Sequence, residues 1–231
     1  MKKNRYGRFA LFCRHTCRIF WKHYRSDMPT PARPTLYICR HLNLHGPKTV
    51  LVFGGVCVRP LVFHPFCDFA ECRRQFADYT FSVRFHMPKF IAKILAFLAS
   101  LVVVPLMKSI GAIPVYRGGD RRAVGTIRTC VRRLTEGENI VLFPDIDYTA
   151  DEAHASDIYT GFFTIDRFYK QKTGEHADVV VLHIDEATRT LTASDPIPFD
   201  DSDPDMKEHA VEYVKKHLYP GTPATKTDAG I

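Results

Sequence analysis

Apolar and polar positions fall into blocks along this chain, and the length and period of each block separate strands from helices. Thr35–Cys39 (TLYIC) is a short apolar run that predicts a buried strand ending just before Arg40-His41. Lys48–Phe53 reads as a helix or a second strand, and Phe69–Tyr79 has helical spacing. Phe90–Met107 (FIAKILAFLASLVVVPLM) is the most apolar stretch, with Lys93 as its one charge and a proline at 105. A bilayer span needs about 20 apolar residues. The segment is marginal by that measure, so a helix lying in the membrane interface or buried in the core is expected rather than a span.

From Gly111 the blocks alternate regularly. Ala112–Tyr116 predicts a strand. Arg121–Leu134 predicts a helix with Val124, Ile127, Val131 and Leu134 on one side, stopped near Gly137. Asn139–Phe143 (NIVLF) is a second buried strand, closed by Pro144. Asp157–Thr173 reads as a helix ending at Gly174, and Asp178–Ile184 as a strand. Thr190–Ser194 pairs back or begins an edge strand. Asp200, Asp201, Asp203 and Asp205 precede a last helix, Met206–Leu218, where acids complement the helix dipole without any metal. The expected fold class is α/β: a mostly parallel central sheet flanked by helices, with a basic amphipathic N-terminal arm. Such sheets gather their chemistry at strand ends. Three ends carry unusual residues: Arg40-His41, Tyr116-Arg117 and Phe143-Pro144-Asp145.

Charge alters the picture at one end only. Residues 1–25 carry eight Lys and Arg and no acid, while the other 206 hold 24 Lys+Arg against 25 Asp+Glu. The body is therefore neutral, which argues against a nucleic-acid partner. The arm interleaves Tyr6, Phe9, Phe12, Ile19, Phe20 and Trp21 with its cations, a pattern suited to an anionic membrane leaflet. Arg14, His15 and Arg18 interrupt it, so no signal peptide is expected. The expected organisation is a membrane-interacting arm over 1–28, one domain over 29–219 and a loose tail over 220–231. The PTPARP stretch Pro29–Pro34 is the linker. Seven cysteines without a repeated CxxC read as free thiols, and no metal is expected. His41 and His45 stand four apart, but Leu42 occupies the place of the glutamate that a metallohydrolase helix needs. The arginines at 121, 122, 128, 132 and 133 read as a solvated helix face, with lipid phosphates or a carrier protein as the alternative.

The three strand ends, in order and spacing, resemble the blocks of the lysophosphatidic acid (PlsC-type) acyltransferase family across roughly residues 35–185. The first block is Tyr37-Ile38-Cys39-Arg40-His41, where the family has Asn-His, then four residues, then Asp. The second is Gly111 to Arg117, a glycine followed six residues later by arginine. The third is Phe143-Pro144-Asp145-Ile146-Asp147, where the family has Phe-Pro-Glu-Gly-Thr. The resemblance implies transfer of a fatty acyl group to a glycerolipid hydroxyl, with no cofactor. The thioester co-substrate is acyl-CoA or acyl carrier protein. It implies work at the cytoplasmic face of the cell membrane, peripheral or shallowly inserted, in phospholipid biosynthesis.

In that resemblance His41 is the candidate catalytic base, a role its ordinary pKa suits. Arg117 is the candidate phosphate clamp, and Gly111, Pro144 and Arg40 complete the candidate substrate-binding set. The departures are specific. Gly46 stands where the family has the acid that orients the imidazole, Arg40 replaces Asn, and Asp145-Ile146-Asp147 replaces Glu-Gly-Thr. Three readings of Gly46 stay open. Asp145 or Asp147 substitutes as the catalytic partner acid. His41 works unaided, where loss of a triad acid costs up to about 10⁴ in turnover. Or the chain is a catalytically silent, membrane-associated lipid-binding relative.

Overall fold

A computed structural model describes residues 5–116, 121–145 and 158–220. The chain divides into two compact units, each formed from two stretches of sequence.

One unit comprises Met1–Lys22 and Cys57–Ile140. Its helices are α1 (Arg8–Phe20), α3 (Phe69–Arg74), α4 (Lys89–Ile110) and α5 (Arg121–Thr135), with a π-helical turn over Gln75–Arg84 continuing α3. The helical spacing expected over Phe69–Tyr79 is thus realised in two geometries. Strands β3 (Val58–Phe63) and β4 (Ile113–Val115) pair in parallel, Leu61 opposite Ile113 and Phe63 opposite Val115. The sequence pattern did not mark β3, because Arg59 and Pro60 interrupt its apolar run.

The first described residues of the chain are tied into this unit. Ser109 Oγ accepts the Ala10 N–H at 2.9 Å, and Ser109 O accepts the Gly7 N–H at 2.7 Å. A serine on α4 thereby caps the start of α1, satisfying donors that a helix N-terminus leaves open. Tyr6 is buried, its hydroxyl accepts the Val58 N–H at 3.1 Å, and burial pushes its pKa up to about 12. Arg59, also buried, donates to Glu138 at 2.9 Å and to the Ile110 carbonyl at 3.0 Å. Helix α4 ends at Gly111, whose φ of 71° favours glycine. A β-carbon there would also meet the Arg59 guanidinium at 3.0 Å.

Helix α4 buries a narrow stripe of Ala92, Ala96, Ser100 and Val104, spaced four apart. Small side chains let neighbouring helices approach closely, and the large apolar residues point elsewhere. Phe90, Ile91, Ile94, Phe97, Leu98, Leu101 and Val102 are all exposed, as are Phe12, Ile19 and Phe20 of α1. By length and composition α4 is the one helix among the described residues able to cross a membrane.

The other unit comprises His23–Val56 and Val141–Ile231. Strand β2 (Thr35–Cys39) is buried throughout and pairs in parallel with β6 (Asp178–Asp185). β6 pairs antiparallel with β7 (Thr190–Pro196), and the two-residue β1 (Arg25–Ser26) adds parallel to β7. β5 (Asn139–Leu142) runs across the boundary between the units. Lys48–Phe53 resolves as helix within α2 (His45–Phe53). α6 (Gly161–Thr173) begins later than expected, and α7 (Met206–Leu218) covers the expected residues. α7 lays Ala210, Val214 and Leu218 inward and packs on β6. Seven strands among the described residues, paired mostly in parallel and flanked by helices, make the fold α/β. The tail over 221–231 lies outside the described residues.

Candidate active site

The second unit brings two of the three strand ends together. β2 ends at Cys39, and the chain turns out of the sheet through Arg40 and His41. β5 ends at Leu142, and Phe143-Pro144-Asp145 follows. Pro144 O accepts the Tyr159 N–H at 2.9 Å, and Asp145 bridges antiparallel to Ile158, which fixes this turn. Buried parallel strands must end somewhere, and their last polar groups meet in the loops there.

The Asp145 carboxylate is only 5% exposed, and both oxygens are engaged. One accepts the main-chain N–H of His41. The other accepts the Tyr219 hydroxyl at 2.8 Å. A buried carboxylate demands such donors, because desolvation without them costs several kcal/mol. Tyr219 follows the last turn of α7 and is itself 8% exposed. Burial and the neighbouring Asp145 charge push its phenol well above the ordinary value, so it remains a donor. The Arg40 guanidinium lies 4.6 Å from the centre of the Tyr219 ring.

The His41 imidazole stands edge-on to Phe143, ring centres 5.7 Å apart at 88°. Its Nδ1 accepts the Leu44 N–H across a long 3.4 Å. In a neutral ring that contact puts the proton on Nε2 and the lone pair on Nδ1. Burial pushes the His41 pKa below its ordinary value, and the Asp145 charge opposes that shift without cancelling it. Three successive residues after His41 have positive φ: Leu42 at 44°, Asn43 at 48° and Leu44 at 75°. Left-handed backbone costs an L-residue about 1–2 kcal/mol, and Asn is the one of the three suited to it. Strain of this kind is held in place by its surroundings and collects at functional loops.

Gly46 opens α2 and approaches the same loop. Its N–H donates to His41 O at 3.1 Å. A β-carbon on it would lie 1.7 Å from the Arg40 carbonyl oxygen and 3.2 Å from that of His41. No side chain fits there, acidic or otherwise. His45 is turned the other way, its Nε2 3.1 Å from the Tyr24 hydroxyl, and it is not part of the cluster with Asp145.

Of the candidate residues, His41, Arg40, Pro144 and Asp145 thus meet in one unit. Gly111 lies in the other, with a structural reason for being glycine. Arg117 and Asp147 lie outside the described residues. Sequence reasoning missed Tyr219, whose one local signal is a tyrosine held between the end of a helix and Pro220.

Residues 76–183 match the family model described as Acyltransferase. That stretch contains Gly111, Arg117, Pro144, Asp145 and Asp147, and begins after the Arg40-His41 block. Among solved structures, the chain is similar to the crystal structure of the 1-acyl-sn-glycerophosphate (LPA) acyltransferase PlsC from Thermotoga maritima. The identity is 13% and the TM-score 0.49, over 91% of this chain and 75% of that one. No curated protein matches the sequence.

Proposed function

We propose that this chain, whose residues 76–183 match the Acyltransferase family model, moves a fatty acyl group from a thioester to the hydroxyl of a lysophospholipid or similar glycerol-phosphate acceptor. The observation that carries this reading is the meeting of His41 and Asp145 at adjoining strand ends. The imidazole takes the proton of the acceptor hydroxyl, and the oxygen attacks the thioester carbonyl carbon. The tetrahedral intermediate collapses with loss of the C–S bond, and the leaving thiolate recovers the proton from the imidazolium. In the tautomer selected by Leu44, Nδ1 is the accepting atom, so the hydroxyl takes the place of the long Leu44 contact. Asp145 contributes by charge, favouring the imidazolium, and by holding the His41 main chain.

The donor is acyl-CoA or acyl carrier protein, Arg117 holds the acceptor phosphate, and Asp147 is the other candidate partner acid for His41. The exposed apolar residues of α4 and α1, with Arg8, Arg14 and Arg18 beside them, support attachment to an anionic lipid surface at the cytoplasmic face. Gly46 favours a second reading, a silent lipid-binding relative, because it removes the acid that would orient the ring.

A radiolabelled acyl-transfer assay separates the two. Lysophosphatidic acid is offered with acyl-CoA or acyl carrier protein to the wild type and to His41→Ala. Transfer that drops at least about a hundredfold in the variant supports the enzyme. Equal transfer by both overturns the role of His41, and no transfer by either favours the silent relative.

A further inference from the structure

The hydrogen bonds around Asp145 form a chain that ends on the backbone of the proposed base. Tyr219 O–H donates to one carboxylate oxygen at 2.8 Å, and the His41 N–H donates to the other. The start of the chain is rigid for three reasons. The Tyr219 N–H makes a helical bond of 3.0 Å to Lys215 O. Pro220 follows and prevents another turn. Ala210, Val214 and Leu218 seat α7 against β6. The phenol ring is clamped from its face by Arg40, the residue that immediately precedes the base.

The end of the chain needs such support. The turn after His41 runs through three left-handed residues and would relax if released. The Gly46 site leaves no room for a side chain, since a β-carbon there meets the Arg40 and His41 carbonyl oxygens. Asp145 holds this loop through the bond that its carboxylate accepts from the His41 N–H.

We propose that Tyr219 is a positioning residue: through Asp145 it sets where the His41 backbone, and with it the imidazole, stands at the end of β2. The proposal rests on His41 being the base. It adds that the residue just after α7, remote in sequence from every motif, supports the catalytic apparatus.

The test is Tyr219→Phe in the full chain, which keeps the ring under Arg40 and removes only the donor. Two readouts are taken, hydrogen exchange of the His41 amide by NMR and steady-state acyl transfer. The expected result is exchange at His41 faster by at least about tenfold, with the amides of Leu36–Cys39 unchanged. kcat falls about 10- to 100-fold while KM stays within about twofold, as displacement of a reacting group predicts. The proposal is overturned if His41 exchanges as in the wild type, or if the amides of β2 loosen equally, which would make Tyr219 a general prop. If the wild type transfers no acyl group, the functional reading falls, and the exchange result alone still decides whether Tyr219 holds the loop.

Discussion

A β-carbon on Gly46 would stand 1.7 Å from the carbonyl oxygen of Arg40. The start of α2 is pressed against the loop that carries His41, and only a residue without a side chain permits it. In the family that the chain resembles, this is the position of the acid that partners the histidine. Restoring that acid therefore fails here. Gly46→Asp and Gly46→Ala both are expected to destabilise the fold by at least about 3 kcal/mol, the upper range for overpacking, measured by urea unfolding. Gly46→Asp also gains no activity. A stable Gly46→Asp protein with raised turnover would show that the loop yields more easily than its geometry indicates.

The left-handed turn predicts a gain. Leu44 has a φ of 75° and a side chain that is 66% exposed, so glycine there relieves strain and sacrifices little packing. The relief of about 1–2 kcal/mol is offset by the extra freedom of glycine in the unfolded chain, about 0.5–1 kcal/mol. Leu44→Gly is expected to stabilise by about 0.5 kcal/mol, raising Tm by about 1–2 °C in calorimetry. Leu44→Ala keeps the strain and shows no rise.

His41 sets a pH signature. Its folded pKa lies below the unfolded value of about 6.5. Above that value the ring is neutral in both states, and its contribution to stability is intact. As pH falls through about 6.5 toward the folded pKa, the unfolded chain binds the proton first and stability declines. The same depression keeps the base form present at lower pH than a free histidine would, so the acid limb of kcat/KM falls below about 6.5. Asp145→Asn removes the opposing charge and moves that limb lower still. An acid limb at or above 6.5 in the wild type would contradict the burial of the ring.

The exposed residues of α4 predict the route to the membrane. Leu98 and Val102 are 52% exposed and one turn apart. Burying such a side chain in an acyl layer is worth about 1.5–3 kcal/mol. Leu98→Asp is expected to lower partitioning onto anionic liposomes at least about tenfold, measured by sedimentation, with Tm unchanged. Arg18→Ala costs about fivefold on anionic vesicles and nothing on neutral ones. Undiminished binding by Leu98→Asp would remove α4 from the contact.

Much of the molecule was legible in its order of residues. Periodicity alone located α7, α5, β2 and β6, because a pleated strand and a helix each impose a period of their own on the apolar positions. The two ends that carry His41 and Asp145 were legible because parallel strands deliver their loops to one edge. What could not be read there depends on atoms far apart in the chain. Asp145 was a candidate for holding the imidazole, but its carboxylate binds the His41 main chain and Tyr219, 74 residues away. Ser109 caps α1 across 99 residues. Gly46 reads as a missing acid in sequence, and as a steric necessity once the Arg40 carbonyl is beside it. The sequence by itself determined where the chain is helical, where it is extended and which polar residues end its strands, since those follow from local geometry and burial. Only the tertiary structure decided which donor meets which acceptor, because a hydrogen bond needs its two atoms within about 3 Å and spacing along the chain does not specify that.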